Sequence, residues 1–179
     1  MAIYSPVVFD FDGTMLDSNA IKEQTFYSVV GMDAKSHESM RKILERAKLM
    51  QWDRFKILGN YAKDNGLDFN ELVNSYNEIT YLQIIKCEKR LGIEEFLSKC
   101  RGLKFINSAT PTEMLRVLVK NSFPNQYFDL VLGDGAAKKV KNLEKIIKNF
   151  RIEAKDILVF GDSNDDYEAA NLVAVGFMV

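Results

Sequence analysis

Short apolar segments that each end in a polar cluster are the feature of this sequence that most restricts its fold. The segments are rich in Val, Ile, Leu and Phe and are mostly continuous, which is typical of strands buried on both faces of a parallel sheet. Stretches with helical periodicity separate them, and this alternation indicates right-handed crossovers. The sequence therefore predicts an α/β protein with a doubly wound parallel sheet. The predicted strands are 7–9, 103–106, 128–132, 157–160 and 173–179.

Two helices of this sheet domain have clear sequence signals. The first is predicted over 111–121, where Thr110 is placed as the N-cap and Glu113 completes a capping box. The second is predicted over 142–150, because its apolar residues recur with the i, i+3, i+4, i+7 spacing of one buried helix face. Both fit the alternation of strand and helix.

The stretch between the first two strands has helical periodicity and almost no strand signal. We predict an all-helical cap inserted after the first strand, with a core domain of residues 1–17 and 99–179 and a cap of residues 18–98. Trp52 and Phe55 are expected in the core of the cap. The residues that mark the successive helices are Met40, Ile43, Leu44 and Ala47; Trp52, Phe55, Tyr61 and Ala62; Leu72, Val73, Tyr76 and Ile79; and Ile93, Phe96, Leu97 and Cys100.

Composition and charge restrict the partners of the chain. The 179 residues are 47% apolar and carry a formal net charge of −1, so a globular core is expected and no basic field exists to attract nucleic acid or anionic lipid. No stretch reaches the roughly 18 apolar residues of a membrane span. Cys87 and Cys100 fit neither a disulfide framework nor a zinc site. We expect a cytoplasmic protein, a monomer or weak dimer, with no nucleic acid and no membrane as partner.

The polar clusters carry the candidate chemistry. Asp10 to Thr14 follow the first strand, Asn107 to Thr110 the second, Gly133 to Lys139 the third, and Gly161 to Asp166 the fourth. The carboxyl ends of parallel strands lie at one edge of the sheet, where ligands bind in open α/β folds. Turns favour Asp, Asn, Ser and Gly for structural reasons, but that preference does not account for a lysine. The sequence thus predicts carboxylates, a hydroxyl and an ammonium group in one crevice.

These clusters resemble the four motifs of the haloacid dehalogenase superfamily, in particular its phosphatase branch with a helical cap, which is phosphoglycolate phosphatase-like. The likeness spans the whole chain and the motifs occur in the expected order. For the motif lysine, Lys139 fits best and Lys138 is the rival. The matching residues are Asp10, Asp12, Gly13, Thr14, Leu16, Asp17 and Ser18 for the first motif, Ser108 for the second, Lys139 for the third, and Gly161, Asp162 and Asp166 for the fourth.

The resemblance implies a phosphatase that uses an aspartyl-phosphate intermediate. Asp10 would be the nucleophile and Asp12 the general acid and base. Lys139 and Ser108 would hold the phosphoryl oxygens, in a site to which Gly13, Thr14 and Ala109 also contribute. Arg54 of the cap would contact the leaving group. The substrate would be a small phosphorylated metabolite, a phosphomonoester such as a sugar or sugar-acid phosphate.

The resemblance also implies a magnesium ion as cofactor. Its ligands would be the Asp10 carboxylate, the Asp12 backbone carbonyl, Asp162 and Asp166. Charge supports the same expectation, because two like charges 4 Å apart repel by about 4 kcal/mol at an effective dielectric near 20. A cluster of carboxylates that faces a phosphate therefore needs a counter-cation, and hard oxygen ligands suit Mg²⁺.

Other functions remain open at this stage. A sugar phosphomutase shares all four motifs, and a non-catalytic receiver-like phosphoprotein also has an acidic cluster, a phosphorylated Asp and a Lys on a doubly wound sheet. Dehalogenation is disfavoured because Asp12 supplies an acid and base that phosphoryl transfer needs. His37, the only histidine, is expected at the surface. The sequence stops at Val179, where members of the family usually continue, which implies a truncated or naturally short form.

Overall fold

A parallel sheet with its first strand at the centre organises the fold. The computed structural model describes residues 3–50, 52–135 and 138–179. Within these residues, five parallel strands form one sheet in the order β3-β2-β1-β4-β5. The predicted α/β fold is confirmed; the first strand has the predicted bounds, and the other four predicted strands are present with shifted bounds. The strands are β1 (Val7–Phe9), β2 (Lys104–Asn107), β3 (Leu130–Leu132), β4 (Leu158–Phe160) and β5 (Gly176–Met178).

Helices connect the strands and fill the long stretch between β1 and β2. Across the described residues, none of them is long and apolar enough to cross a membrane. Helix α7 begins earlier than the periodicity predicts, and α1 and α8 were not predicted at all. The helices are α1 (Asn19–Ser28), α2 (Ala34–Met50), α3 (Arg54–Asn65), α4 (Phe69–Ile84), α5 (Ile93–Lys99), α6 (Thr112–Ser122), α7 (Lys139–Phe150) and α8 (Asn164–Val173).

Both faces of the central strand are covered, because successive side chains of a strand point to opposite faces. Val8 belongs to an apolar cluster with side chains of α7 and α8, among them Leu143 and Ala170. On the other face, Phe9 stacks on Phe160 with ring centroids 5.3 Å apart and meets Phe96 of α5 edge-on at 5.8 Å. The sheet is therefore a middle layer between helices, as a doubly wound fold requires.

The prediction that every strand is buried is wrong at the two edges of the sheet. All three residues of β1 are buried, whereas β3 is mostly half-buried and β5 has exposed residues at both ends. An edge strand has a neighbour on one side only, so less of its surface is covered. Continuous apolar sequence does not reveal this difference.

The predicted capping box at the start of α6 is also wrong. The helix begins at Thr112 after Pro111, and no side chain caps it from the N-cap position. The Thr110 hydroxyl instead donates to Asp12 Oδ2 at 2.8 Å, and Glu113 forms an ion pair within its own helix. The Thr110 hydroxyl thus contacts Asp12, which is distant in sequence, instead of capping the adjacent helix.

The chain divides into two compact units, Met1–Ser18 with Cys87–Val179, and Asn19–Lys86. The division differs from the predicted core and cap at both boundaries, because Ser18 and residues 87–98, which include most of α5, belong to the sheet unit. The predicted domains also include residues 1, 2, 51, 136 and 137, which lie outside the described residues.

The helical unit has an apolar core of its own, formed by residues of α1 to α4. Met40, Leu44 and Ala47 are buried there as their spacing predicts, and Trp52 packs against this core. The expectation for Phe55 is wrong, since 42% of its surface is exposed. It lies on the outer side of α3, whose inward face uses Ile57, Leu58, Tyr61 and Ala62 instead.

The two segments that join the units run side by side within the sheet unit. The chain leaves this unit after Ser18 and returns at Cys87. The Asp17 amide donates to the Glu88 carbonyl at 3.0 Å, and Leu16 forms an antiparallel bridge with Lys89. The helical segment is thus inserted at one point of the sheet unit.

Both cysteines are free thiols, as predicted. Burial raises the pKa of Cys100 and, together with the charge of nearby Asp17, that of Cys87. Thiols with a raised pKa are weak nucleophiles near neutral pH. The thiolate form of both cysteines is therefore disfavoured near neutral pH.

Candidate active site

The polar clusters meet at the carboxyl edge of the sheet because the strands are in register. Phe9 of β1 pairs with Ile106 of β2 and Phe160 of β4. Pairing continues one step beyond the strand, where the Asp10 amide donates to the Phe160 carbonyl at 2.8 Å. Asp10 therefore starts the polar edge at the middle of the sheet.

Lys139, the first residue of α7, lies between two carboxylates. Its Nζ is 3.0 Å from Asp10 Oδ1 and 2.5 Å from Asp166 Oδ1. All three side chains are buried, with exposed fractions of 6% or less. Burial lowers the pKa of Lys139, but the charges of Asp10 and Asp166 and their hydrogen bonds outweigh it, so its pKa is raised. The amine is thus a fixed cation at the centre of the cluster.

Lys138 does not share this environment. Its side chain is 57% exposed, and its Nζ is 3.9 Å from Asp134. Of the two candidates for the motif lysine, Lys139 is the one whose amine reaches Asp10.

Asp162 completes an acidic cluster that suits a metal ion. One carboxylate oxygen each of Asp10, Asp162 and Asp166 lies within 4.8 Å of the others. Asp162 is exposed, and the Thr14 hydroxyl donates to its Oδ1 at 3.4 Å. Carboxylate oxygens are the ligands that Mg²⁺ prefers, and it keeps several waters when bound. The residues present therefore fit a hard divalent cation on the open side of the cluster.

The loop from β4 to α8 holds Asp166 in place. Ser163 and Asp166 form a capping box at the start of α8, in which the Ser163 hydroxyl contacts Asp166 Oδ2 at 2.5 Å. With Lys139 on Oδ1, both oxygens of Asp166 are engaged. A side chain at Gly161 would come within 2.4 Å of Asp166, so only glycine fits there. The motif glycine therefore has a packing role.

The Asp12 carboxylate is held by two hydroxyl groups. Ser18 Oγ donates to Oδ1 at 3.0 Å and Thr110 Oγ1 donates to Oδ2 at 2.8 Å. Asp12 is only 6% exposed, and both hydroxyl residues are buried. The orientation of this carboxylate is therefore fixed from two separate segments of the chain.

Gly13 allows the tight turn that follows Asp12. Its φ of 81° lies in the left-handed region, and its amide donates to the Leu16 carbonyl at 2.8 Å. Arg90 Nε donates to the Gly13 carbonyl at 2.8 Å, and its guanidinium lies 3.5 Å from Asp17. Arg90 thus ties the returning chain to the first polar loop.

Ser108 and Ala109 follow β2 at the same edge. Ser108 is 1% exposed, its amide donates to the Leu132 carbonyl at 3.0 Å, and its hydroxyl accepts from the Thr110 amide at 3.2 Å. Their contact with a phosphoryl group stays a prediction. So does the role of Arg54, which begins α3 in the helical unit with its guanidinium over the Phe55 ring.

A cavity of about 390 Å³ lies next to the acidic cluster within the sheet unit. Its polar wall includes Thr14, Arg90 and Asp162, and its apolar wall includes the rings of Phe9, Phe96 and Phe160. Its volume lies within the range of small-molecule sites.

The sequence does not predict the roles of three residues of the site. Thr110 was assigned to a helix cap, Ser18 was noted only as part of a motif, and Arg90 was not considered. Ser18 has a sequence signal in its place beside Asp17 in the first motif, and Thr110 has one in its place in the polar cluster after β2. The contacts of Thr110 with Asp12 and of Arg90 with Gly13 span 98 and 77 positions of the chain, and no local pattern reveals them.

The central parallel sheet and the carboxylates around Lys139 define an α/β protein of the haloacid dehalogenase-like class. The chain belongs to the haloacid dehalogenase-like hydrolase family, whose family model matches residues 7–179. A comparison with curated protein sequences returned no match.

Solved structures with the same fold cover nearly the whole chain. CbbY from Rhodobacter sphaeroides, solved with phosphate, has a TM-score of 0.71 and 14% identity over 98% of this chain and 85% of that one. A Thermotoga maritima protein provisionally identified as a beta-phosphoglucomutase has a TM-score of 0.71 and 15% identity over 96% and 82%. A haloacid dehalogenase-like hydrolase from Streptococcus pneumoniae has a TM-score of 0.65 and 18% identity over 97% and 83%. At these identities the likeness establishes the fold.

Proposed function

We propose that this hydrolase is a Mg²⁺-dependent phosphomonoesterase that acts on a small phosphorylated metabolite through an aspartyl-phosphate intermediate. The observation that carries the proposal is the buried Lys139 ammonium, 3.0 Å from Asp10 Oδ1, beside an acidic cluster at the carboxyl edge of the sheet. A carboxylate next to a fixed cation can meet a phosphate dianion that it would otherwise repel. A CbbY mutant related by fold was solved with xylulose-1,5-bisphosphate, a sugar phosphate, which is consistent with this class of substrate.

In the first step a carboxylate oxygen of Asp10 attacks phosphorus, and the bond from phosphorus to the substrate oxygen breaks. Asp12 donates a proton to that departing oxygen, so an alcohol leaves. Lys139 binds phosphoryl oxygens and offsets the charge that accumulates on them, with the Ser108 hydroxyl as a further donor.

In the second step water attacks the phosphorus of the aspartyl phosphate. Asp12, now a carboxylate, accepts the proton of that water, and the bond from phosphorus to Asp10 breaks. Inorganic phosphate leaves, and Asp10 and Asp12 return to their starting forms. Asp10, Asp162 and Asp166, with the Asp12 carbonyl, would hold Mg²⁺, which neutralises phosphate charge when bound.

The test is release of inorganic phosphate from a panel of sugar, sugar-acid, nucleotide and aryl monophosphates, with Mg²⁺ and with EDTA. We expect turnover with Mg²⁺ only. Asp10→Asn should reduce it to background, because an amide is a poor nucleophile, while its circular dichroism stays that of the wild type. Asp165→Asn, at an exposed neighbour of the site, is the matched control and should retain activity. Phosphate release by Asp10→Asn at the wild-type rate would remove Asp10 as nucleophile.

The fate of the phosphoryl group separates the alternatives. A phosphomutase would return it to a substrate hydroxyl, so two sugar phosphate isomers would interconvert without free phosphate. A receiver-like protein would accumulate as a long-lived phosphoprotein without turnover. Either result would replace the proposal.

A further inference from the structure

Thr110 makes a buried contact that the proposed chemistry does not yet use. Its hydroxyl donates to Asp12 Oδ2 at 2.8 Å, the shorter of the two hydroxyl contacts to that carboxylate. Thr110 is 2% exposed and Asp12 is 6% exposed. A hydrogen bond to a buried charged group is stronger than one between neutral groups, and it is costly to leave unmade.

The Thr110 hydroxyl points to Asp12 because another residue takes over the helix cap. Asp134 Oδ1 accepts from the Thr112 amide at 3.0 Å, at the first residue of α6. The amides at the start of a helix normally donate to the side chain of the residue just before the helix. Here the acceptor is Asp134, in the loop after β3. Thr110 is thereby released from the local role that its sequence position favours.

The backbone of Thr110 is fixed from both sides. Its amide donates to Ser108 Oγ at 3.2 Å, and its carbonyl accepts from the Asp134 amide at 3.1 Å. A side chain at Gly133 would come within 2.1 Å of the Thr110 carbonyl oxygen, so the two loops are packed together closely. The hydroxyl is therefore presented from a rigid support.

We propose that Thr110 is a positioning residue that holds the Asp12 carboxyl group in the orientation required for proton transfer. The inference rests on the proposed phosphomonoesterase function. A hydroxyl can donate to the carboxylate or accept from the carboxylic acid, so it serves both forms of Asp12 in the cycle. The proton passes from Asp12 to the leaving oxygen and from water back to Asp12, and Thr110 neither gains nor loses one overall.

The test compares substrates that need an acid with substrates that do not. Thr110→Val keeps the size of the side chain and removes the hydroxyl. For the best alkyl phosphate of the panel, kcat/KM should fall by about tenfold or more, because its leaving oxygen requires a proton. For p-nitrophenyl phosphate, kcat/KM should stay near the wild-type value. Its kcat should fall, with a burst of p-nitrophenol, because hydrolysis of the intermediate still needs Asp12 as base.

Two further variants serve as controls. Thr110→Ser retains the hydroxyl and should restore most of the alkyl phosphatase activity. Thr112→Val removes the hydroxyl of the first residue of α6, which accepts from the Gly133 amide at 3.0 Å. It should leave the ratio of alkyl to aryl kcat/KM unchanged. If Thr110→Val does not fold, Thr110→Ala takes its place in the comparison with Thr110→Ser.

Equal loss of kcat/KM for alkyl and aryl phosphates in Thr110→Val would overturn the inference, and so would a Thr110→Ser enzyme that is equally impaired. Both results require an active wild type and would leave the proposed function intact. A wild type that releases no phosphate from any substrate would overturn the proposed function, and the inference with it.

Discussion

Lys139 is the residue on which the charge balance of the site depends. Its ammonium forms ion pairs with both Asp10 and Asp166, and all three side chains are buried. Removing one member of a buried ionic group leaves the remaining charges uncompensated. The resulting loss of folding free energy exceeds the net stabilisation that the intact group provides. The lysine therefore contributes to folding as well as to the proposed binding of phosphate.

We expect Lys139→Met to destabilise the metal-free protein by about 3 kcal/mol and to abolish phosphatase activity. Urea unfolding in EDTA measures the first effect and phosphate release the second. Lys138→Met is the matched control, and with an exposed side chain it should change the free energy of unfolding by less than about 0.5 kcal/mol. Similar losses in the two variants would contradict the assignment of Lys139.

The residues of the site differ in how well sequence predicts them. Asp10 and Asp162 each follow a strand of a parallel sheet, and the register of the strands brings them to one edge. Recognising the two strands in the sequence is therefore enough to predict that these residues lie close together. The sequence favours Lys139 as the motif lysine but leaves Lys138 as the rival, and the contact of the Lys139 amine with Asp10 decides between them. Thr110 was misassigned because a capping pattern and a distant carboxylate compete for one hydroxyl, and only three-dimensional packing decides between them.

At the scale of elements, weak periodicity explains the helices that were missed. Helix α1 buries only Thr25 and Phe26, and α8 buries small alanines beside Asp166, so neither has a wide apolar face. The strongly amphipathic α7 was predicted in part, without its first turn, whose Lys139 is polar and yet buried. The apolar pattern thus indicates that α7 exists, but not that the helix begins at Lys139, whose buried side chain is paired with carboxylates.

The start of α6 depends on a carboxylate supplied by another element. The hydrogen bond from the Thr112 amide lowers the pKa of Asp134, an effect opposed by slight burial and assisted by Lys138 and Arg116. The residue has a φ of 80°, a conformation that asparagine also tolerates. Asp134→Asn therefore removes the charge with little backbone strain.

Because the folded pKa of Asp134 lies below its usual value of 3.8, the charged form stabilises the fold above that pH. This stability is lost as the pH falls through the lowered folded value. At pH 7 we expect the free energy of unfolding of the wild type to exceed that of Asp134→Asn by about 0.5 kcal/mol. The difference is small because the side chain is 48% exposed. The difference should vanish in strong acid, as measured by urea unfolding at several pH values. A difference that grows on acidification would contradict the assigned bond.

At the scale of the molecule, the two units each have their own apolar core. The chain passes between them at two neighbouring positions, where the Asp17 amide bonds to the Glu88 carbonyl. Among the described residues, every strand pair of the sheet lies outside Asn19–Lys86. The pairing and the apolar core of the sheet unit thus involve its own residues.

We expect the sheet unit to remain folded when Asn19–Lys86 is replaced by a short Gly-Ser linker. The ends to be joined are already close, so the loop-closure entropy is small. Cooperative thermal unfolding, followed by circular dichroism, measures the result. The matched control deletes only α2, Ala34–Met50, and should expose the remaining core of the helical unit and promote aggregation. A linked sheet unit without a cooperative transition would show that the units are interdependent.

The paired crossing of the chain at Asp17 and Glu88 also bears on how such proteins diversify. An inserted segment whose two ends are adjacent can be lengthened, shortened or exchanged for an unrelated one without changing the register of any strand. The inserted segment can therefore change during evolution while the site residues of the sheet unit stay the same. A designer could do the same by grafting a foreign module between these two positions.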